Sequence, residues 1–224
     1  MAHGLKKYFP DIRFSGNYVT PDEIDRYETY DVVFPGYGAT DVGTAAGGTA
    51  GAAKALVLIN ANVDYPRTLA GGVQGTSDMG GVWVINGVNQ FGVSQSETIT
   101  VGTAANGATT NGTLIFARVA SGTFTLSTAA LGNGSAKLTG VVTGTSAWFG
   151  LPMKIASTLD VKAINWTDEL LPVAINGGTI GAYVDTARHA FRGTEDVDGT
   201  QTYHVLYRPT FNAENHDGIM SNLT

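Results

Sequence analysis

The chain contains no cysteine, which excludes disulfide cross-links, a thiol nucleophile and thiolate metal ligands. It is also poor in charge. Asp, Glu, Lys and Arg make up 14% of its 224 residues, against about 25% in typical soluble domains. Between Lys54 and Lys154 only Asp64, Arg67, Asp78, Glu97, Arg118 and Lys137 are charged. Basic residues are the minority, and a net charge of −6 argues against a nucleic-acid partner, which needs a basic stripe to neutralise phosphates. No apolar run reaches the roughly 18 residues of a membrane-spanning helix, so no membrane partner is expected. The opening residues Met1 to Tyr8 lack the apolar core of a signal peptide, so synthesis in a cytoplasm is expected.

The signatures of common chemistries are missing as well. Gly36-Tyr37-Gly38 is followed by Asp41 where the dinucleotide fingerprint needs its third glycine. There is no phosphate loop and no Gly-x-Ser-x-Gly elbow. His3, His189, His204 and His216 show no zinc-ligand spacing, and His204 reads as a surface or interface residue. Glu195-Asp196-Val197-Asp198-Gly199 is the densest acidic cluster. A calcium loop of EF-hand type fails there, because Thr194 and Leu206 occupy two ligand positions, and Asp198-Gly199 reads instead as a hairpin turn. No catalytic, cofactor or metal residue is assigned, and no enzyme activity or cofactor is expected.

What is present is apolar and β-like. At 43% apolar residues, the chain can bury a substantial core. From Ala55 onward, short runs rich in β-branched residues alternate with Gly, Asn, Ser and Asp clusters. This spacing predicts an all-β fold, a β-sandwich or barrel-like body of short antiparallel strands. The predicted strands are Ala55–Asn60, Pro66–Ala70, Gly81–Asn86, Ser96–Val101, Thr113–Val119, Thr123–Ser127, Ala136–Val142, Val161–Trp166, Thr179–Val184 and Thr202–Arg208. Turns are expected at Gly71-Gly72, Asn106-Gly107, Asn111-Gly112, Gly132-Asn133-Gly134 and Asn176-Gly177-Gly178. Tyr203, Val205 and Tyr207 share one face of their strand, and Phe124 and Leu126 share one face of theirs. In Val82-Trp83-Val84-Ile85 both faces are apolar, which predicts a central strand or one covered on both sides.

The first 53 residues read differently, as an extended N-terminal arm and a Gly/Ala/Thr linker, before a body at 54–208 and a tail at 209–224. Eight of the eighteen Phe and Tyr residues lie in the first 37: Tyr8, Phe9, Phe14, Tyr18, Tyr27, Tyr30, Phe34 and Tyr37. Thr20, Pro21 and Glu23 carry the capping signals of one short helix ending near Tyr30. The arm's aromatics are expected either to dock on a partner or to fold back on the chain's own core.

Four stretches resemble the small head-decoration, or cement, proteins of tailed bacteriophages. They are Asp64-Tyr65-Pro66-Arg67, the hairpin from Gly87 to Val101 with Glu97-Thr98-Ile99, Gly150-Leu151-Pro152, and the last strand from Gly199 to Pro209. The likeness covers Ala55 to Pro209. It departs from the family at Trp148-Phe149, and the arm has no counterpart. The resemblance implies a structural virion protein on the phage head surface, made in the host cytoplasm. Its partners would be the major capsid protein and copies of itself, with a trimer preferred. In that reading the eight arm aromatics are the capsid-docking residues. The alternative reading is a carbohydrate-binding or adhesive β module on a head or tail fibre, with Tyr65, Trp83, Trp148 and Trp166 as a sugar platform.

Overall fold

The computed structural model describes residues 28–33, 41–46, 50–74, 79–104, 108–127, 135–142, 146–165, 183–193 and 202–210. Fourteen strands lie within them. The first seven are β1 (Glu28–Val33), β2 (Asp41–Ala46), β3 (Ala53–Ala55), β4 (Val57–Leu58), β5 (Asn62–Gln74), β6 (Met79–Val88) and β7 (Ser94–Ala104). The others are β8 (Thr109–Leu126), β9 (Ser135–Gly140), β10 (Trp148–Gly150), β11 (Val161–Asn165), β12 (Val184–Asp185), β13 (Ala190–Arg192) and β14 (Thr202–Tyr207). A 3₁₀ turn spans Thr158–Asp160. Every ladder between these strands is antiparallel. The chain is therefore all-β, and the described strands close no barrel.

A small sheet has the order β1-β14-β11. A large sheet follows the path β12-β13-β10-β5-β8-β6-β7, with β2, β3, β4 and β9 branching from it. Two cores result. The first joins the small sheet to the β10–β13 end of the large one through Tyr203, Val205 and Tyr207 of β14, with Phe149, Leu151 and Phe191. The second lies inside the curled large sheet, around Leu69, Trp83, Ile85, Ile99, Phe116, Phe124 and Leu138. Curling brings β5 against β6 and β7, which are not its ladder partners. The expected alternations hold: Tyr203, Val205 and Tyr207 are buried, as are Phe124 and Leu126. Strand β6 is central between β7 and β8.

Several expectations are corrected. Glu28–Tyr30 is not the end of a helix. It belongs to β1, paired through Tyr30↔Val205 with a strand far along the chain, as suits its run of Thr, Tyr and Val. The helix-capping residues before it lie outside the described residues. Within the segment read as linker, Asp41–Ala46 is a strand paired with β9 and β4, and Val42 and Ala45 are in the core. Its small residues reflect close packing. Gly71-Gly72 and Asn111-Gly112 are not turns either. They lie in β5 and β8, joined by the pairs Ala70↔Asn111 and Gly71↔Thr110. A Cβ at Gly71 would stand 2.5 Å from the Trp83 ring, and one at Gly112 would stand 2.6 Å from Glu97 Oε2. Both glycines make room for a neighbouring side chain. As a consequence β5 and β8 run 13 and 18 residues, longer than the short strands expected.

Candidate functional site: an uncharged sheet face and a basic cleft

Most charges of the charge-poor stretch are engaged inside the fold. Arg67 is buried, reaches Asp64 Oδ2 at 3.0 Å, donates from Nη2 to the Val141 carbonyl and lies over the Phe149 ring at 4.9 Å. Burial pulls the pKa of its guanidinium down, against the opposing field and hydrogen bond of Asp64. Glu97 is buried and accepts from the backbone N–H groups of Thr113 and Leu114 and from the Thr113 hydroxyl. Lys137 pairs with Asp41 at 2.7 Å. Arg118 is exposed, and Asp78 lies outside the described residues.

The consequence is an outer face on four adjacent strands with three rows free of charge, bounded by exposed Arg118 in the next row, opposite Val88 and Ser94. Directly opposed residues of an antiparallel ladder point to the same side. One row runs Ser96, Asn86, Ser121 across β7, β6 and β8. The next runs Thr98, Val84, Thr123 and reaches Ala55 on β3. The third runs Thr100, Val82, Thr125 and reaches Ala53. Ser96, Thr98, Thr100, Ser121 and Thr123 are exposed, and Val82 and Val84 are half-buried between hydroxyls. Next along the chain, Val57 and Ile59 are 65% and 56% exposed. Among the described residues β7 pairs with β6 alone, so one edge of this face is an open strand edge.

A cleft of about 320 Å³ lies beyond the turn that joins β6 to β7. It forms where β8 outruns β6, whose last pairing is Val88↔Arg118. The backbone groups of β8 left over are met by side chains. Glu97 takes the N–H groups of Thr113 and Leu114, Gln95 Nε2 donates to the Ile115 carbonyl, and Arg188 Nη1 donates to the Thr113 carbonyl at 2.7 Å. Arg188 is fixed further by Asp185 at 2.8 Å and by stacking at 4.4 Å over Trp148. Burial works to raise the Asp185 carboxyl, but its hydrogen bonds from Arg188 hold it below the ordinary carboxylate range. His189 has φ 48, the left-handed region that a residue with a side chain enters at a cost. Its Nδ1 lies 3.3 Å from Ile155 N and 3.1 Å from Ile155 O. Burial lowers its pKa, so the ring is neutral at pH 7.

The residues singled out from the sequence are scattered. Tyr30 makes edge-on contacts with Tyr65 and Phe191, at 6.4 Å each, on the chain's own first core. Burial, with Tyr65 and Asp64 nearby, pushes its phenol pKa up. Tyr8, Phe9, Phe14, Tyr18, Tyr27, Phe34 and Tyr37 lie outside the described residues, as do the acidic cluster at 195–199, Trp166, His3 and His216. His204 is half-buried and pairs with Asp31 across the β1–β14 ladder at 2.7 Å. Of the sugar-platform residues, Trp83 is fully buried against Phe124, and Trp148 is covered by the guanidiniums of Arg188 and Arg192. The cleft was not singled out from the sequence, since its residues come from four separate stretches. Among the described residues no group of His, Asp or Glu is arranged to hold a metal. Compared with known proteins, the chain matches no family model, no curated protein and no solved structure.

Proposed function

We propose that the chain is a structural, non-enzymatic virion component: a decoration protein that binds the outside of a tailed-phage head and bridges neighbouring subunits of the major capsid protein. The uncharged face on β3, β8, β6 and β7 carries this reading. Burying charges at an interface is costly unless they are paired, and interface cores are depleted of charge. A face of Thr, Ser, Asn, Val and Ala docks on protein without that penalty. We read the body as sandwich-like, with the small sheet laid over the β10–β13 end of the large one.

The size of the face says how it would work. Three rows, two of four strands and one of three, cover on the order of 300–400 Å² at ordinary strand spacing. A stable pairwise interface needs about 800 Å² per partner. One face is therefore too small to hold alone and suits a lattice, where many modest contacts act together. A self-associated decoration unit, a trimer in our reading, multiplies the contacts again. Anything that binds the assembled shell and not its parts shifts the equilibrium towards the shell. The seven arm aromatics outside the described residues are the second proposed contact. Co-sedimentation with undecorated heads, after sizing of the free protein, tests the proposal. Binding at capsid stoichiometry is expected, and a protein that stays in the supernatant at every concentration contradicts it.

A further inference from the structure

We propose that the turn between β12 and β13, Thr186 to His189, is an acid-released clasp, which ties separate segments together at neutral pH and lifts as His189 takes up a proton. The turn is braced from within. Asp185 Oδ1 accepts from the Arg188 N–H at 2.9 Å, and Asp185 Oδ2 accepts from Arg188 Nε at 2.8 Å. Its outward bonds hold distant parts of the chain. The His189 carbonyl accepts from the Leu151 N–H at 2.8 Å, the Arg188 carbonyl accepts from Gln90 Nε2 at 2.8 Å, and Arg188 Nη1 donates to the Thr113 carbonyl at 2.7 Å. A turn that keeps its own shape and is held from outside can lift without the fold melting. Lifting bares the Thr113 carbonyl of β8 and opens the wall of the cleft.

His189 is the release point. Its Nδ1 faces both the N–H and the carbonyl of Ile155. A bare Nδ1 accepts from the N–H, and a protonated one donates to the carbonyl; an imidazolium does only the second. Protonation therefore takes the acceptor from the Ile155 N–H and places a charge in a half-buried site. Burial opposes that charge most, the Ile155 carbonyl favours it, Lys154 opposes it and Asp185 favours it. Phe91 of the β6–β7 turn stands edge-on to the ring at 5.5 Å. That turn, like β8 at Thr113–Ile115, brings no charge. Lifting also relieves the left-handed backbone at φ 48. Asp185, held below the ordinary carboxylate range, keeps its charge meanwhile, so the brace survives.

Amide hydrogen exchange of the full chain, corrected for intrinsic rates, tests the clasp. The reporter is the Leu151 N–H, and the reference is the Val119 N–H, bonded to the Ala61 carbonyl away from the turn. Leu151 should be protected at least about tenfold less than Val119, because it exchanges through local opening and not through loss of the whole fold. The lifted imidazole binds its proton near pH 6.5 and the closed one binds it lower, so the lifted fraction rises as pH falls. Leu151 protection should drop at least about threefold from about pH 7.5 to 5.5. His189→Asn, which accepts the left-handed backbone and cannot titrate, should remove that drop. Should this variant fail to fold, the first two measurements on the unmodified chain decide alone. Protection of Leu151 equal to that of Val119, a smaller drop with pH, or the same drop in His189→Asn would overturn the proposal.

Discussion

Glu97 on β7 accepts the backbone N–H of Thr113 on β8, although the two strands are not ladder partners. It takes the Leu114 N–H as well, at 3.1 Å. One carboxylate thus completes the hydrogen bonding of a strand segment that no neighbouring strand covers on that side. The same bond removes the charge of Glu97 from the surface of β7, leaving hydroxyls outside.

Glu97→Ala leaves two partly buried backbone donors without their acceptor and should cost about 1–3 kcal/mol. Gly112→Ala should also destabilise, because its Cβ would displace the carboxylate. Urea unfolding of the two single variants and the double variant checks this. The double variant should fall well short of the sum, since both changes act on one contact.

Arg67 is another buried charge of this body. Arg67→Met keeps the apolar stem on Phe149 but removes the bonds to Asp64 and Val141, and should cost about 3–5 kcal/mol. Asp64→Asn should cost at least as much, because it leaves the fully buried Arg67 guanidinium without its counter-ion, whereas Arg67→Met leaves Asp64 with partial access to water. Thermal unfolding of both variants distinguishes these outcomes.

Asp160 contributes to the acid sensitivity of the fold. Burial works to raise its carboxyl, but Arg208 and the N–H groups of Ser157 and Ala156 outweigh this and hold it below the ordinary range. A carboxyl with a lowered folded pKa stabilises fully above its unfolded value of about 3.9, and the stabilisation is lost as pH falls through the folded value. Asp160→Asn should be less stable at neutral pH, and its stability should change less below about pH 4. Denaturant unfolding across that range measures both.

His189 acts in a higher window. Burial is the main cause of its lowered pKa, with Lys154 adding to it. An unfolded imidazole takes up its proton near pH 6.5, before the folded one does, so stability is complete above about pH 6.5 and declines as pH drops below it. Its left-handed φ gives a second prediction: His189→Asn should be better tolerated than His189→Val, because Asn accepts that conformation and a β-branched residue does not. Melting curves at neutral pH rank the two.

The strands were legible in the sequence wherever one face is buried and the other wet. Tyr203, Val205 and Tyr207 in β14 and Phe124 and Leu126 in β8 show it plainly. The glycines at 71 and 112 misled because a glycine that makes room looks the same locally as one that turns the chain. The pairing of β1 with β14 spans nearly the whole chain, and no local pattern carries it. The uncharged face was visible only as missing charge, because register decides which Thr and Val stand side by side. The cleft was invisible, since curling of the large sheet assembles it from distant segments.

In the proposed function the shell covers the face of Thr98, Val84 and Thr123. Co-sedimentation of Thr98→Lys and Thr123→Lys with undecorated heads tests it most directly. Both positions are exposed, so folding should be unchanged within about 0.5 kcal/mol. Head binding should weaken at least about tenfold, because each variant forces an unpaired charge into the contact. Binding as tight as that of the unmodified protein, with either lysine in place, would contradict the account.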